Sequence, residues 1–341
     1  MRKLLNLKLI LILFLFSAIF MINITKTESI TSTKENKENH LYINFVDRKL
    51  NQVFYQYDIN QKLNNVLLKK KITEYPTATY SKLTNQVFFT YKTKNKTSQL
   101  FKKNLNSNQT TQLTYEFNHV DFLALDEKEQ LLFMRVLMRG SDRNFQLAIY
   151  DLENKKIKNW DNKDKDKSIQ LMDYNPIQKQ LLLVTYSVKE EFEKIDHANK
   201  KGTLPKPPSY TFSIYNKEGK KVKNIGSINA FLTGASLSSD GKNILISYYN
   251  NLEEQTSKIE SIDIAKQKAT LLLQDSKMNI REPKYNKDKS GFYYLANANK
   301  QIKLDDKNAN EVTINFYDLA AKKIKEVWSM EDGETVNFYI D

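Results

Sequence analysis

The sequence predicts an all-β protein, a six-bladed β-propeller of four-stranded antiparallel blades that follows an N-terminal hydrophobic signal or anchor helix. Three observations lead to this prediction: short runs of strand-forming residues, a hairpin pattern that recurs along the chain, and single strands left over at the two ends of the repeats. Tyr and Phe number 19 and 18 in 341 residues, whereas Gly and Pro number 8 and 6. The chain is therefore rich in strand formers and is not of low complexity.

The first 24 residues have the features of an export signal. Arg2, Lys3 and Lys8 precede an apolar run from Leu9 to Ile22, which is the order of a basic region and an apolar region in a signal sequence. No small-residue cleavage site follows the run. We therefore expect residues 1–24 to be a signal peptide or, in preference, an uncleaved membrane anchor, with the rest of the chain exported.

Residues 25–39 are polar, without an aromatic residue. Such a composition predicts a flexible stalk between the membrane and the folded domain. The expected location of residues 40–341 is extracytoplasmic, either membrane-anchored at the cell surface or secreted.

A hairpin pattern with fixed spacing recurs five times. Leu237 is followed, seven and nine residues later, by Ile244 and Ile246, with a polar turn between them. A strand end, a tight turn and a strand with alternating apolar residues form a β-hairpin, and repetition at constant offsets indicates a repeat protein. The other copies are Tyr80, Val87 and Phe89; Leu125, Leu132 and Met134; Tyr174, Leu181 and Leu183; and Tyr285, Phe292 and Tyr294.

A second hairpin pattern occurs six times. In each copy an apolar strand ends at Asp or Asn, whose side chain can accept hydrogen bonds from backbone N–H groups just downstream and so start a turn. The clearest copies are IYDLENKKIK, IYNKEGKKVK and FYDLAAKKIK. The six turn-starting residues are Asp58, Asn104, Asp151, Asn216, Asp263 and Asp318.

The strands at the two ends of the repeat region would together supply the first two strands of one blade. Tyr42–Val46 supplies a second strand with no first strand before it, and Glu334–Asp341 supplies a first strand with nothing after it. Pairing these two segments closes a ring and leaves no orphan edge. The sequence therefore predicts six blades within residues 40–341, one of them built from both chain ends.

The repeat resembles the TolB-type propeller repeat, in which a P-x-W-S-P-D-G-x-x-I turn joins the first two strands of a blade. GASLSSDGKNI and REPKYNKDKSGF are the nearest matches, with Ser238, Asp240, Gly241 and Pro283 in register, and MDYNPIQKQL keeps Asn175-Pro176 without Asp-Gly. The resemblance covers residues 40–341 at the level of a superfamily. It implies a propeller fold, an extracytoplasmic location and a binding or scaffolding role, and it carries over no catalytic residue.

Charge and cysteine content restrict the function further. The formal net charge is +13, with lysines scattered through turns and strand ends. This pattern is typical of a solvated surface, and a basic exterior would favour anionic cell-envelope polymers or lipid headgroups over nucleic acid, for which no motif is present. The chain has no cysteine, which excludes disulfides, cysteine-ligated zinc and thiol nucleophiles.

No cofactor, metal site or catalytic group is predicted. The histidines His40, His119 and His197 have no paired ligand spacing and are expected at surface or turn positions. Asn159–Gln170 alternates Asp and Ser as a calcium loop does, but it lacks the Gly and the final Glu, so we expect a solvated turn. There is no G-x-S-x-G motif for an α/β-hydrolase domain.

Two groups of residues are candidates for binding. Insertions between the second and third strands of two blades, Val188–Tyr210 and Asn297–Glu311, should lie on one face, which is where repeat proteins often bind their partners. The first insertion is expected to hold a short helix and a Pro-rich turn. Candidate contacts on this face are Phe192, His197, Pro205, Pro207, Pro208, Tyr210 and Lys303; candidate channel-lining residues on first strands are Asp121, Asp173, Arg281 and Glu282.

We therefore expect a non-catalytic, exported scaffold, membrane-tethered through its N-terminal helix, that binds a protein or an anionic envelope polymer. The alternative is a propeller enzyme, a lyase or glycosidase acting on an extracellular polysaccharide. The alternative requires clustered carboxylates, or histidines with a metal, at the channel mouth. A third hypothesis is a structural partner in a membrane complex.

Overall fold

The computed structural model describes residues 40–141, 143–160, 164–253, 256–304 and 307–340. Within these ranges the chain forms 24 strands in six antiparallel sheets, and one α-helix. The expected signal or anchor segment 1–24 and the expected stalk 25–39 lie outside the described residues. No helix among the described residues has the length and apolar content that crossing a bilayer demands.

Each sheet is one blade, named A to F here, and its strands are given from the inside outwards. Blade A contains β24 (Gly333–Ile340), β1 (His40–Asp47), β2 (Asn51–Asp58) and β3 (Leu63–Lys71); blade B contains β4 (Ala78–Ser81), β5 (Gln86–Lys92), β6 (Ser98–Asn104) and β7 (Thr110–Gln112); blade C contains β8 (Phe117–Asp126), β9 (Leu131–Met138), β10 (Phe145–Asp151) and β11 (Lys156–Asn159). Blade D contains β12 (Lys167–Asn175), β13 (Gln180–Ser187), β14 (Ser209–Asn216) and β15 (Lys221–Asn229); blade E contains β16 (Phe231–Leu237), β17 (Asn243–Tyr249), β18 (Ser257–Asp263) and β19 (Lys268–Asp275); blade F contains β20 (Arg281–Tyr285), β21 (Gly291–Leu304), β22 (Lys307–Asp318) and β23 (Lys323–Trp328). The helix α1 (Val188–Lys201) lies between β13 and β14.

Both repeated hairpins are confirmed. The five predicted anchors each pair with the residue seven positions later, as Leu237 does with Ile244. The third strand of every blade ends at one of the six predicted Asp or Asn residues. The side-chain oxygen of each accepts hydrogen bonds of 2.7 to 3.0 Å from backbone N–H groups of the following turn.

The predicted closure of the ring is also confirmed. β24 pairs antiparallel with β1, with Tyr42 opposite Tyr339 and Asn44 opposite Asn337. The rings of Tyr42 and Tyr339 stack with centroids 4.7 Å apart, and Asn44 Nδ2 donates to Asn337 Oδ1 at 2.8 Å. Blade A is therefore built from the two ends of the repeat region, which leaves no unpaired inner strand.

The hydrophobic core is divided among the six junctions between blades. Each of the six clusters of buried apolar side chains combines residues of two neighbouring blades, and blade A packs on blade F as it does on blade B. A side-chain hydrogen bond to a backbone carbonyl or a carboxylate also crosses every junction. These bonds are Asn44 to Ala78, Ser98 to Val120, Tyr174 to Asp126, Asn175 to Ser238, Ser236 to Pro283 and Thr335 to Val312.

Many of the excess positive charges lie on the outermost strands of the blades. β3, β11, β15, β19 and β23 carry ten lysines between them. An outer strand has one unpaired edge, and lysine side chains along it oppose the addition of a strand from another molecule. Part of the positive charge of the chain thus lies where it protects the edges of the blades.

The second predicted insertion differs from its expected form. Asn297–Glu311 was expected as a loop, but Gln301–Leu304 pair with Lys307–Asn310, so β21 and β22 continue as a long hairpin. The first insertion contains the predicted helix, α1, followed by the Pro-rich segment 202–208. Both insertions connect second to third strands, in blades D and F.

Candidate functional site

One face of the propeller carries both insertions, and we call it the insertion face. It consists of the connections between second and third strands and the connections from one blade to the next, because these chain segments lie at the same ends of the strands. The first strands are neighbours around the ring, with β4 beside β8, then β12, β16, β20 and β24. Their ends on this face form the mouth of the central channel.

The helix α1 is attached to the face by capping at its N-terminus. Ser187 Oγ accepts a hydrogen bond from Glu190 N at 2.9 Å, and Asp166 Oδ1 accepts one from Lys189 N at 2.6 Å. Ser187 Oγ in turn donates to Asp166 Oδ2 at 2.5 Å. The Ser187 hydroxyl and the N–H of Lys189 lower the pKa of Asp166, as expected for a carboxylate at a helix N-terminus. Asp166, expected in a solvated turn, therefore has a structural partner.

The exposed side of α1 presents two of the predicted contact residues. Phe192 is 47% exposed, and the Arg143 guanidinium lies 4.7 Å from its ring centroid. His197 is exposed on the same helix. Leu204, in the segment after the helix, is 52% exposed. An aromatic ring with a guanidinium beside it is suited to contact with a protein surface.

The other predicted contacts of the insertions differ in exposure. Lys303 is exposed on the hairpin, and Pro205 and Pro207 are partly exposed. Pro208 and Tyr210 are buried; Tyr210 packs edge-to-face on Tyr186, with centroids 5.8 Å apart, inside the core of blades D and E. These two residues support the insertion from below and do not form its surface.

A network of charged side chains lies beside the channel in blades B and C. Arg135 on β9 donates from Nε and Nη2 to the two carboxylate oxygens of Asp121, at 2.6 and 2.7 Å. His119 Nε2 lies 3.3 Å from Asp121 Oδ2, and His119 Nδ1 lies 3.6 Å from Glu74 Oε2. Ser98 Oγ donates to Glu74 Oε1. His119, expected at a surface or turn position, is thus half-buried between two carboxylates.

In this network the hydrogen bonds and opposite charges of the partners outweigh the cost of burying Asp121 and His119 in their charged forms. Burial disfavours the charged form of Asp121, but the hydrogen bonds from Arg135 and His119 outweigh it and lower its pKa. Burial likewise opposes the charge of His119, and the Asp121 and Glu74 carboxylates raise the pKa of His119 nonetheless. Burial raises the pKa of Glu74. Asp121 is therefore held in place by a bidentate ion pair and is not an unpaired channel carboxylate.

A second group of polar residues surrounds the channel mouth, and Tyr75 is its centre. Tyr75 belongs to the connection from blade A to blade B and is 48% exposed. Burial of its hydroxyl and the nearby Glu282 carboxylate raise the pKa of Tyr75, while the Asn337 side chain and Arg281 oppose the shift. The ring of Tyr75 therefore lies close to residues of β20 and β24, across the mouth from its own blade.

Glu282 is the most unusual residue of this group. Burial raises its pKa to about 7, although Lys284 and Arg281 act in the opposite direction. Its backbone has φ of +50°, a conformation that non-glycine residues rarely adopt and that tends to occur at functional sites. The first strand bulges here, since the register of β20 with β21 shifts between Arg281 and Lys284.

The neighbouring strand is adapted to this bulge through Gly234. A Cβ atom on Gly234 would lie 2.6 Å from Glu282 Cα and 2.7 Å from Glu282 N. Only glycine allows β16 and β20 to approach so closely. The position of Glu282 is therefore determined by a residue 48 positions earlier in the chain.

Asp173 lines a deeper part of the channel. Leu237 N donates to Asp173 Oδ2 at 2.8 Å, and Lys284 Nζ lies 3.9 Å from Asp173 Oδ1. Burial raises the pKa of Asp173, and Lys284 opposes that shift. The four predicted channel residues thus lie on first strands as expected, but the structure separates Asp121 and Asp173, which have cationic partners, from Glu282 at the mouth.

Sequence reasoning missed Glu74, Tyr75, Arg135 and Asn337. A signal existed for Arg135, because it interrupts the apolar strand LLFMRVLM, and a charge within a buried strand requires a partner. No comparable signal marks Tyr75 or Asn337. Within the described ranges, no group of three or more His, Cys, Asp and Glu side chains could hold a metal ion.

Comparison with known proteins supports the architecture. No family model matches the chain. An uncharacterised protein of Bacillus subtilis, YdjN, is 29% identical over 326 residues, which cover 91% of this chain and 89% of that protein. The match therefore extends over nearly the whole length of both chains.

Two solved structures have the same fold. TolB from Acinetobacter baumannii superimposes with a TM-score of 0.59 at 13% identity, covering 92% of this chain and 69% of that one. A putative TolB from Agrobacterium tumefaciens superimposes with a TM-score of 0.57 at 8% identity, covering 87% and 91%. At such identities the likeness concerns the fold alone.

Proposed function

We propose that this chain, which has a TolB-like β-propeller fold, is an exported, non-catalytic scaffold that binds a protein partner through its insertion face. The N-terminal sequence supports export and tethering to a membrane, and the fold supports a scaffolding role at a coarse level. The same two observations support an extracytoplasmic location.

The distribution of exposed aromatic rings carries this proposal. Among the large hydrophobic residues that are exposed in the described ranges, three are aromatic: Tyr75, Tyr115 and Phe192. All three lie on the insertion face, in the connection from blade A to B, the connection from blade B to C, and α1. Exposed aromatic side chains contribute strongly to protein–protein binding because they bury a large area at a small entropic cost.

The charges of the insertion face favour a protein over an anionic polymer. α1 and its flanking segments carry both signs, with Glu190, Glu193 and Asp196 among the lysines. The lysine-rich strands lie instead at the rim of the propeller. A polyanion would be drawn to the rim, whereas a surface of mixed charge with aromatic residues suits a folded partner or a peptide.

A paired-variant experiment tests the proposal. The double variant Tyr115→Ser and Phe192→Ser removes two rings from the insertion face. The matched control, Leu83→Ser and Ile177→Ser, removes apolar side chains that are 72% and 65% exposed in first-to-second-strand turns of the opposite face. After cross-linking in cells and purification of the full chain, we expect the co-purified partner to be lost from the first variant and retained by the control. Equal recovery from both would disprove the insertion face as the binding surface.

A polysaccharide-active enzyme is the second candidate, and Glu282 is the observation that favours it. A carboxyl group with a pKa of about 7 in a channel has the protonation behaviour of a general acid. Release of reducing ends or unsaturated products from acidic polysaccharides, abolished in Glu282→Gln, would support the enzyme. Absence of turnover over a panel of such polymers would leave binding as the function.

A further inference from the structure

The opposite face of the propeller exposes different side chains from the insertion face. It consists of the turns between first and second strands and between third and fourth strands, which lie at the other ends of the strands. Within the described ranges, the large hydrophobic side chains exposed in these turns or within two residues of them are all aliphatic. They are Leu63, Leu83, Ile177, Val222 and Ile324, each at least 50% exposed.

The turns between third and fourth strands add a repeated lysine motif to this face. Residues 155–158 and 322–325 read KKIK, and residues 220–223 read KKVK. The lysines of all three copies are exposed, as are Lys266 and Lys268 in the corresponding turn of blade E. Four neighbouring blades, C to F, therefore present lysines at the same corner, with an aliphatic residue between lysines in three of them.

Acidic side chains do not cancel the positive charge of the opposite face. The residues between the strands that its turns connect include twelve lysines and six Asp or Glu. Two of these carboxylates already have lysine partners on the same face, since Glu129 accepts from Lys217 at 2.6 Å and Asp240 accepts from Lys289 at 2.5 Å. The opposite face is thus cationic, whereas the insertion face carries both signs, as on α1.

The chain enters the propeller on this same face. His40 begins β1, and the other end of β1, at Asp47, leads into a second-to-third-strand connection of the insertion face. The predicted signal or anchor segment 1–24 and the polar segment 25–39 precede His40 in the sequence. A flexible chain as long as residues 25–39 has an end-to-end distance of about 20 Å. An anchor within residues 1–24 would therefore hold the opposite face close to a bilayer.

We propose that the opposite face contacts the surface of an anionic lipid bilayer. Lysines near such a surface are attracted to its headgroups, and aliphatic side chains beside them gain by leaving water for the boundary between headgroups and acyl chains. A soluble anionic polymer would use the lysines but would offer no apolar environment to Val222 or Ile324. Because the turns of all blades end on one side of the propeller, several of them can meet a flat surface together. The insertion face is then directed away from the membrane, whether or not it binds a protein.

Fluorescent labels on the full chain test this contact, because the natural chain has no cysteine that would compete for the label. A label is attached to Ile177→Cys, Val222→Cys or Ile324→Cys on the opposite face, and to Leu204→Cys on the insertion face. Each protein is reconstituted with vesicles that carry a headgroup-bound quencher, made of phosphatidylcholine with or without phosphatidylglycerol. Strands of seven or eight residues separate the two faces by about 25 Å, which is beyond contact with the quencher.

In phosphatidylglycerol vesicles we expect the labels on the opposite face to be quenched at least about threefold more than the label at Leu204→Cys. The difference should decrease in pure phosphatidylcholine and at high salt, which screens the attraction. Equal quenching of all four labels, or none on the opposite face in phosphatidylglycerol vesicles, would overturn the proposal. Protection of these labels from iodide by soluble polyphosphate, without quenching by vesicles, would overturn it in favour of an anionic polymer.

A pair of charge-reversal variants tests whether the lysines of this face are responsible. Lys221→Glu with Lys323→Glu should lower the quenching at Ile177→Cys in phosphatidylglycerol vesicles at least about twofold. Lys94→Glu with Lys277→Glu makes the same change of net charge at exposed positions of the insertion face and should leave that quenching unchanged. Equal loss in both variants would show that net charge alone, and not the opposite face, attracts the protein to the bilayer, and would refute the proposal.

Discussion

At the scale of single residues, the channel mouth contains Glu282, whose backbone conformation is one that residues other than glycine rarely adopt. Glu282 has a positive φ and a carboxyl group whose pKa is raised by partial burial, and neither feature is what a stable strand requires. A residue in such a conformation lowers the stability of the fold unless its surroundings compensate.

The pH dependence of stability tests the surroundings of Glu282. Its folded pKa of about 7 is above the ordinary value, so the folded state retains the proton longer than the unfolded state. The contribution of Glu282 to stability is therefore greatest at acidic pH and falls as the pH rises from about 4.5 to 7. We expect Glu282→Gln to remove this loss and to be more stable than the natural chain at pH 8, by about 1 to 3 kcal/mol.

Urea unfolding at pH 4.5 and at pH 8 measures the effect. Glu153→Gln, at an exposed turn position of blade C, is the control and should leave the difference between the two pH values unchanged. Equal pH dependence in Glu282→Gln and the natural chain would contradict the account of Glu282.

Gly234→Ala tests the close contact between first strands. The added Cβ would overlap backbone atoms of Glu282, which cannot move aside as a flexible side chain could. We expect a loss of about 3 kcal/mol in unfolding free energy, at the upper end of the range for overpacked sites, because the overlap is with backbone atoms. Gly140→Ala, where the Cβ meets nothing within 4 Å and only φ of +76° is unfavourable, should cost about 1 to 2 kcal/mol. Similar losses for both would show that steric contact at Gly234 is unimportant.

At the scale of the elements, the insertion of blade D is a helix attached by its N-terminal cap. Ser187→Ala removes the hydroxyl that accepts from Glu190 N and donates to Asp166. We expect about 1 kcal/mol less local stability in α1, and hence roughly fivefold faster amide exchange over Val188–Lys201. Exchange in the flanking strands β13 and β14 should not change. Faster exchange throughout blade D would indicate that the helix and the blade unfold together.

The sequence predicts most elements of this fold because the repeat depends on local interactions. The turn after each third strand needs one Asp or Asn and its own backbone, as at Asp263 and Asp318. The run of apolar residues after each anchor indicates a second strand that is buried on both of its faces. Such signals occupy fewer than a dozen consecutive residues and are visible in one sequence.

The site is less predictable because its partners are distant in the chain. At the channel mouth Tyr75 lies near Glu282 and Asn337, which follow it by more than two hundred residues. Position 234 requires glycine only because Glu282 packs against it. The hairpin at Asn297–Glu311 was mistaken for a loop, since its polar, Asn-rich strands lack the alternation that burial imposes. Composition alone could not show that its two arms pair with each other.

At the scale of the whole molecule, closure of the ring depends on the pairing of β24 with β1. Asn44 and Asn337 lie opposite each other, 293 positions apart, and the natural chain contains no cysteine. The double variant Asn44→Cys and Asn337→Cys should therefore form one disulfide on oxidation. A crosslink over so long a loop should stabilise the oxidised protein over the same reduced variant by about 3 to 5 kcal/mol.

Thermal unfolding of the two redox states gives this difference directly, and the lost asparagine contacts cancel because both states carry the same substitutions. Each single-cysteine variant serves as a control and should show no redox-dependent shift. Failure of the double variant to form an intramolecular disulfide would contradict the closure.

We propose that the face bearing α1 and the blade F hairpin is the surface that contacts a partner. Site-specific photo-crosslinking in cells measures it most directly, with the photoreactive residue placed at Tyr115 or Phe192 on the insertion face and at Leu83 or Ile177 on the opposite face. We expect one discrete adduct of the same mass from both insertion-face positions and none from the opposite face. An adduct from Leu83 or Ile177 alone, or equal adducts from all four positions, would contradict it.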